Sequence, residues 1–261
     1  MSRGLGLFLT VGSFVIAAAQ TIPGHDSTRK QVLLLTGYNS TRNHDWRKLS
    51  PLLRQILEDT KDFEVRINEE PRALTQEVLR GYDVLLLDYS NYTPALAPPW
   101  PSETQAAYLE FLRNGGGVVA YHAACGSFQD WPEYRKSLGI AAHDRISHGP
   151  YQTFQVRTTA SGKDLLQTLP AQWSAWGEIY NGMRLEEEAR VLATAFDNPK
   201  NCSGGGKVCG SGKHEPVIWT HYYGRGRSVV FTLGHDEKTF AAREIAPAFV
   251  SCVRWAASPT P

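Results

Sequence analysis

Short apolar runs alternate along this chain with amphipathic stretches, and this alternation constrains the fold more than any other feature. Gln31–Thr36, Asp83–Leu87 and Gly117–His122 are mainly apolar runs, typical of strands buried on both faces. After the first run, Leu49 and Leu53 belong to a helical pattern with one apolar face. Strands separated by amphipathic helices predict an α/β fold with parallel strands and crossover helices.

The same patterns predict the remaining elements. Helices are expected at Leu74–Leu79, at Thr104–Leu112 with Ser102 as the cap, and at Ile245–Ala256. Further strands are expected at Phe63–Asn68, Thr153–Thr158, Val191–Phe196, Val217–Tyr222 and Ser228–Leu233. Because strand signals dominate after His148, the sequence predicts a β-rich C-terminal extension of the α/β core.

Composition limits the classes of function. With 42% hydrophobic and 20% charged residues, the chain has enough apolar side chains for a globular core. Its 27 basic and 26 acidic residues leave a net charge of +1 without a basic block, so we expect no nucleic-acid partner. No internal repeat or linker is evident, and we expect one domain over residues 28–258.

The first twenty residues resemble a secretory signal peptide. Arg3 precedes an apolar run from Leu5 to Ile16, which ends in Ala17-Ala18-Ala19. The run is too short for a stable membrane span, and no other stretch reaches 18 apolar residues. We therefore expect residues 1–20 to be a signal peptide and the protein to be exported, to the periplasm or the extracellular space.

Export makes disulfides chemically permissible. Cys202 and Cys209 bracket a Gly-rich segment that can close a small ring, so we expect them to form a disulfide. A zinc site at this pair is disfavoured, because no second Cys or His pair stands at ligand spacing. Cys252 lies in the apolar last helix and is expected to be a buried thiol.

Polar residues follow the predicted strands at the points where ligands bind in open parallel sheets. Each could instead cap a helix or form a loop hydrogen bond, but their convergence on one edge favours a site. The residues in question are His44, Asp45 and Trp46 after the first strand, Asp88, Tyr89 and Asn91 after the third, His122 after the central strand, and His235 and Asp236 after the last.

Several motifs in order along the chain resemble the ThuA-like (trehalose-utilisation) family. They are Gly37 with His44-Asp45-Trp46, Gly81-Tyr82-Asp83, Gly115-Gly116-Gly117 leading to His122-Ala123-Ala124, His148-x-Pro150, Gly177-Glu178-Ile179-Tyr180, Tyr223-Gly224-x-Gly226-Arg227 and Gly234-His235-Asp236. The resemblance implies a fold similar to class I glutamine amidotransferases. That fold is flavodoxin-like, with a mostly parallel sheet flanked by helices.

The resemblance also implies site residues. His44, His122, His148 and His235 match positions where the family keeps histidine, and Glu178 with Tyr180 matches an acidic-x-Tyr element. The family usually has Asp where this chain has Gly177. Tyr121 stands at the turn where amidotransferase-like relatives place a nucleophilic cysteine, so glutamine hydrolysis is not expected. Cys125, three residues further on, leaves thiol hydrolysis as a weaker hypothesis.

Histidine with glutamate can perform two kinds of chemistry. His122, Glu178, His44, His148 and His235 can transfer protons next to a carbonyl group, with His122 and Glu178 favoured. Alternatively, His44, His122 and His235 can bind a divalent metal such as Zn, Mn or Fe. The expected substrate-binding residues are Asp45, Trp46, Tyr89, Asn91, Tyr180 and Asp236.

The leading hypothesis is an enzyme that cleaves or isomerises a 3-keto glycoside, because members of the family belong to disaccharide pathways that proceed through such sugars. The partner would be a small carbohydrate, and a homo-oligomer is left open. The alternative is a non-catalytic carbohydrate-binding or scaffolding domain with a degenerate amidotransferase-like site.

Overall fold

A computed structural model describes residues 28–38, 44–91, 98–203 and 205–259. The predicted signal peptide lies outside these residues. The strands are β1 (Lys30–Leu35), β2 (Phe63–Asn68), β3 (Val84–Leu87), β4 (Gly117–Tyr121), β5 (Ile140–His148), β6 (Gln152–Thr158), β7 (Gln172–Gly177), β8 (Tyr180–Leu185), β9 (Arg190–Phe196), β10 (Cys202–Ser203), β11 (Val208–Cys209), β12 (His214–Tyr223) and β13 (Gly226–Phe231). The α-helices are α1 (Trp46–Asp59), α2 (Gln76–Leu79), α3 (Ser102–Arg113), α4 (Pro132–Ser137) and α5 (Ile245–Ala256).

A nine-stranded sheet with the order β2-β1-β3-β4-β13-β12-β9-β6-β7 organises the fold. The first five strands are parallel and follow the flavodoxin-like order, in which the second strand lies outside the first. The other four join by antiparallel pairing. Two small ribbons, β5-β8 and β10-β11, stand apart. The predicted α/β fold with a parallel core and added strands is confirmed.

Both faces of the parallel half are covered, which explains its unbroken apolar sequence. Along β1, Val32 and Leu34 join the apolar cluster that contains α1 and α5, whereas Leu33 and Leu35 join the cluster that contains α3. Successive strand residues point to opposite faces, so helices on both sides bury all of them. Full burial of each such side chain contributes about 1.5–3 kcal/mol to stability.

Helix α5 has the predicted bounds, but the start of α3 differs from expectation. Ser102 is the first helical residue, and Pro101 occupies the cap position without a side-chain hydrogen bond. Proline has its φ fixed near the helical value, and the Pro101 carbonyl accepts the first helical hydrogen bond, from Gln105. Within the described residues, no helix is both long and apolar enough to cross a membrane.

Candidate active site

Three histidines meet at the carboxyl edge of the parallel strands. His122 follows β4, His235 follows β13, and His44 lies two residues before α1. His44 Nε2 is 3.1 Å from His122 Nε2, and His122 Nε2 is 3.3 Å from His235 Nδ1. All three residues are buried. The strand ends therefore bring together the three histidines that the sequence proposes as metal ligands.

His122 occupies a strained turn that fixes its ring. Its φ is +46°, a left-handed backbone conformation that residues other than glycine seldom adopt. Its Nδ1 lies 2.6 Å from the Thr232 carbonyl oxygen, which can only accept a hydrogen bond. Nδ1 must therefore carry the proton, and in the neutral ring Nε2 presents a lone pair to the other histidines.

The turn before His235 depends on a glycine. Gly234 has a φ of +106°, and a Cβ atom there would overlap the Tyr121 hydroxyl. That hydroxyl donates a 2.7 Å hydrogen bond to the Gly234 carbonyl oxygen. Tyr121 therefore anchors the segment that carries His235.

Glu178 approaches the histidines from the turn between β7 and β8. Its Oε1 is 3.5 Å from His122 Nε2, and its Oε2 is 3.5 Å from His235 Nδ1 and 3.4 Å from His148 Nδ1. Gly177, the residue before Glu178, has a φ of +142°, a conformation that glycine adopts more readily than other residues. This backbone turn aims Glu178 at the cluster.

Burial and the neighbouring groups set the charge states. Burial, followed by the nearby His122 and His235, lowers the pKa of His44 to about 2, so its ring is neutral near pH 7. Burial by itself would raise the pKa of Glu178, but its interactions with His122 and His235 outweigh burial and lower that pKa below its ordinary value. The site combines an ionised carboxylate with at least one neutral imidazole.

Two tyrosines and one further histidine surround this cluster. The Tyr180 hydroxyl is 3.1 Å from His122 Nε2, and Tyr180 pairs across the β5-β8 ribbon with His148. The Tyr151 hydroxyl is 3.0 Å from His235 Nε2. Tyr180 and His148 are residues that the sequence proposes, whereas sequence reasoning missed Tyr151. The only feature of the sequence that could have indicated Tyr151 is its position directly after the His148-x-Pro150 motif.

A cavity of about 320 Å³ lies beside the cluster and is lined by Tyr151, Trp176, His235, Asp236 and Lys238. Its size falls at the lower end of the range for small-molecule sites, about 300–1,000 Å³. It places the predicted residue Asp236 and an aromatic ring next to a cluster histidine. A larger cavity, of about 480 Å³, lies at the opposite, amino-terminal edge of the parallel strands, away from the histidines.

Two other predicted substrate-binding residues lie at the start of α1. Asp45 is exposed, with its carboxylate 3.8 Å from Lys48 Nζ, and Trp46 lies under the guanidinium group of Arg47. Neither lines the cavity of about 320 Å³. Their binding role stays a prediction.

Tyr89 and Asn91 follow β3 and make contacts that hold their loop. The Tyr89 ring stacks on Phe128 with a centroid distance of 5.6 Å, and Asn91 Oδ1 accepts a 2.6 Å hydrogen bond from the Phe128 backbone N–H. Through these contacts both residues stabilise the loop. Their role in substrate binding is also still a prediction.

The cysteines divide into two pairs of different chemistry. Cys202 and Cys209 form the predicted disulfide, across the β10-β11 ribbon. Cys125 and Cys252 are buried free thiols. Burial raises the pKa of Cys125 to about 12, so its thiol is protonated near pH 7 and poorly suited to act as a nucleophile.

Comparison with known proteins links this geometry to a family. A family model described as ThuA, trehalose utilisation, matches residues 31–256. A ThuA-like protein from Parabacteroides merdae ATCC 43184 is 27% identical, with a TM-score of 0.72 over 88% of this chain and 90% of that one. A ThuA-like protein from Bacteroides uniformis ATCC 8492 is 20% identical, with a TM-score of 0.70 over 90% and 95% of the two chains.

A larger enzyme shows a more distant structural similarity to this chain. A β-galactosidase from Rahnella sp. R3 is 17% identical, with a TM-score of 0.56, and the match covers 87% of this chain and 32% of that one. At this identity the likeness concerns the fold alone. None of the curated protein sequences matches this chain.

Proposed function

The chain belongs to the ThuA family, and from that premise we propose that it is an enzyme of carbohydrate metabolism that cleaves or isomerises a 3-keto glycoside. The observation that carries the proposal is that His235 belongs to the buried cluster of three histidines and Glu178 and also lines the cavity of about 320 Å³. The family description, trehalose utilisation, supports a sugar as the substrate.

The chemistry starts from the acidity of a C–H bond next to a ketone. A base takes that proton, and the electron pair of the C–H bond becomes an enolate with its negative charge on the former carbonyl oxygen. In cleavage, this pair expels the aglycone oxygen, which takes up a proton, and water then adds to the new double bond. In isomerisation, a proton returns to a neighbouring carbon.

The geometry favours the cavity-facing groups for the proton transfer. His235 lines the cavity, its Nε2 is 3.0 Å from the Tyr151 hydroxyl, and its Nδ1 is 3.5 Å from Glu178 Oε2. A carboxylate behind a histidine holds the ring in position and stabilises its protonated form. Lys238 lines the same cavity, so its ammonium group can stabilise the enolate oxygen.

Solvent exchange tests this proposal, because cleavage and isomerisation share their first step. The protein is incubated in D₂O with p-nitrophenyl 3-keto-β-glucoside, and NMR follows deuterium at the carbons next to the ketone while absorbance follows nitrophenol. We expect deuterium incorporation or nitrophenol release that Glu178→Gln abolishes. His214→Ala, which removes an exposed histidine of β12, is the matched control and retains activity.

A non-catalytic carbohydrate-binding domain is the second candidate. The family resemblance implies that Tyr121 stands where amidotransferase-like proteins have their nucleophile, and the Tyr121 hydroxyl donates a hydrogen bond to the Gly234 carbonyl oxygen, which favours this candidate. Saturable binding of the keto sugar without deuterium exchange or nitrophenol release would support this candidate and reject the enzyme.

We further propose that the protein is exported. The apolar run from Leu5 to Ile16 and the Cys202–Cys209 disulfide support this location, because disulfides persist in oxidising compartments. Mass spectrometry of the protein from the periplasm or the medium should give a mass that lacks the first residues, up to about Ala19. Recovery of the uncleaved chain from the cytoplasm alone would reject export.

A further inference from the structure

We propose that His44, His122, His235 and Glu178 together bind a divalent first-row transition metal ion. One ligand atom from each residue lies within 4.8 Å of every other, and all four residues are buried. The set extends the three histidines proposed from the sequence by a carboxylate. This proposal stands on the geometry of the cluster and is independent of the identity of the sugar.

The spacing of the ligand atoms fits an ion. Zinc–nitrogen bonds of about 2.0–2.1 Å place tetrahedral ligands about 3.3–3.4 Å apart. Around His122 Nε2 the separations are 3.1 Å to His44 Nε2, 3.3 Å to His235 Nδ1 and 3.5 Å to Glu178 Oε1. These three separations lie close to the tetrahedral value, and every other pair of ligand atoms lies within 4.8 Å.

Hydrogen bonds alone leave this arrangement unsatisfied. Since His122 Nδ1 donates to the Thr232 carbonyl oxygen, the neutral form of this ring has a single Nε2 lone pair for several polar neighbours. Glu178 Oε2 is buried, and the two ring nitrogens near it, His148 Nδ1 at 3.4 Å and His235 Nδ1 at 3.5 Å, lie beyond the usual range of N–H···O hydrogen bonds. A buried carboxylate oxygen is costly to leave so weakly paired. A cation at the centre would interact favourably with the lone pairs and the carboxylate at once.

The surroundings have the features of a metal site. Ligating histidines usually donate their second ring N–H to a carbonyl, carboxylate or water, which fixes the ring. His122 does so with Thr232, and His235 Nε2 faces the Tyr151 hydroxyl. Three imidazoles with one carboxylate, at separations from His122 Nε2 that are close to the tetrahedral value, favour Zn²⁺, with Fe²⁺ and Mn²⁺ as the alternatives of the same class. Such an ion acts as a Lewis acid towards a carbonyl oxygen.

The test measures metal binding directly. The full chain is stripped with a chelator, and circular dichroism verifies the fold. Calorimetry then follows Zn²⁺ binding, and visible absorption follows Co²⁺ binding. We expect saturation at about one ion per chain and the intense visible bands of four- or five-coordinate Co²⁺. A folded wild type that binds neither ion overturns the proposal.

Variants test the ligand set. His122→Ala and the nearly isosteric Glu178→Gln should each raise the Kd at least about 100-fold, because each removes a direct ligand. His214→Ala should bind as the wild type does. Undiminished binding by either folded ligand variant overturns the four-residue assignment. If the alanine variant fails to fold, the wild type and Glu178→Gln decide. Because binding is measured without sugar, failure of the 3-keto glycoside proposal remains a separate result.

Discussion

The parallel and antiparallel halves of the sheet contribute to the candidate active site by different routes. In the parallel half, His122 comes directly after β4 and His235 lies four residues after the end of β13, so the strand ends bring the rings together. In the antiparallel half, Glu178 lies in the turn between β7 and β8, strands that belong to different sheets. A strand-end rule therefore locates the histidines, whereas the position of the acid depends on a connection between sheets.

The strongest test of this comparison removes one group from each half. His44→Asn and Glu178→Gln should each lower kcat/KM on the keto sugar at least about 1,000-fold, or about 4 kcal/mol. If the halves form one functional unit, the double variant should be hardly worse than either single variant. Steady-state kinetics on the three variants provide the measurement. Losses that multiply would show two independent contributions.

A second test compares Gly234, in the parallel half, with Gly206, in the turn of the separate β10-β11 ribbon. Gly234→Ala places a Cβ against the Tyr121 hydroxyl at a φ of +106°, and should lower the free energy of unfolding by about 3 kcal/mol. Gly206 also has a positive φ, +87°, but nothing lies within 4 Å of the point that a Cβ would occupy there. Gly206→Ala should cost only about 1 kcal/mol. Urea unfolding measures both, and equal losses would contradict the packing argument.

The same division explains how much the sequence could predict. β1, β3 and β4 lie within one residue of their predicted bounds, because strands buried on both faces have unbroken apolar sequences. The sequence did not predict β5, β7 and β8. In β7, Gln172–Gly177, only alternate residues are fully buried, and its Trp, Ser and Ala residues give a weak pattern.

The candidate site divides in the same way. Strand ends predicted His44, His122 and His235 as neighbours, but family resemblance alone pointed to Glu178. Tyr151 was missed because its contact with His235 joins residues far apart in the sequence. A contact that depends on the path of the antiparallel strands leaves no local pattern in the sequence.

A third test concerns Asp88, a buried carboxyl group whose pKa shift is opposite to that of Glu178. Burial raises the pKa of Asp88, after β3, to about 7, whereas the histidines lower that of Glu178. Folded Asp88 holds its proton where the unfolded chain has lost it, so its contribution to stability is full below about pH 4 and is lost as the pH rises through about 7. From pH 5 to 7 the loss should be about 2 kcal/mol. The Asp88→Asn variant should not show this pH-dependent loss of stability.

Urea unfolding of the wild type and Asp88→Asn at pH 5, 6 and 7 measures this difference. Comparing the two proteins at each pH cancels the titration of all other groups that the substitution leaves unperturbed. Parallel pH profiles would show that Asp88 has no raised pKa in the folded state.

The smallest expected effect concerns the antiparallel half, in the residue that sequence reasoning missed. Tyr151→Phe removes the hydroxyl 3.0 Å from His235 Nε2 but keeps the ring that lines the cavity. Because His235 retains its other contacts, kcat should fall only about tenfold, or about 1.4 kcal/mol, while KM changes little. Tyr222→Phe on β12 is the matched control, since Tyr222 is also exposed, and should act as the wild type does. A change confined to KM would make Tyr151 a sugar-binding residue, and the antiparallel half would then contribute binding where the parallel half contributes chemistry.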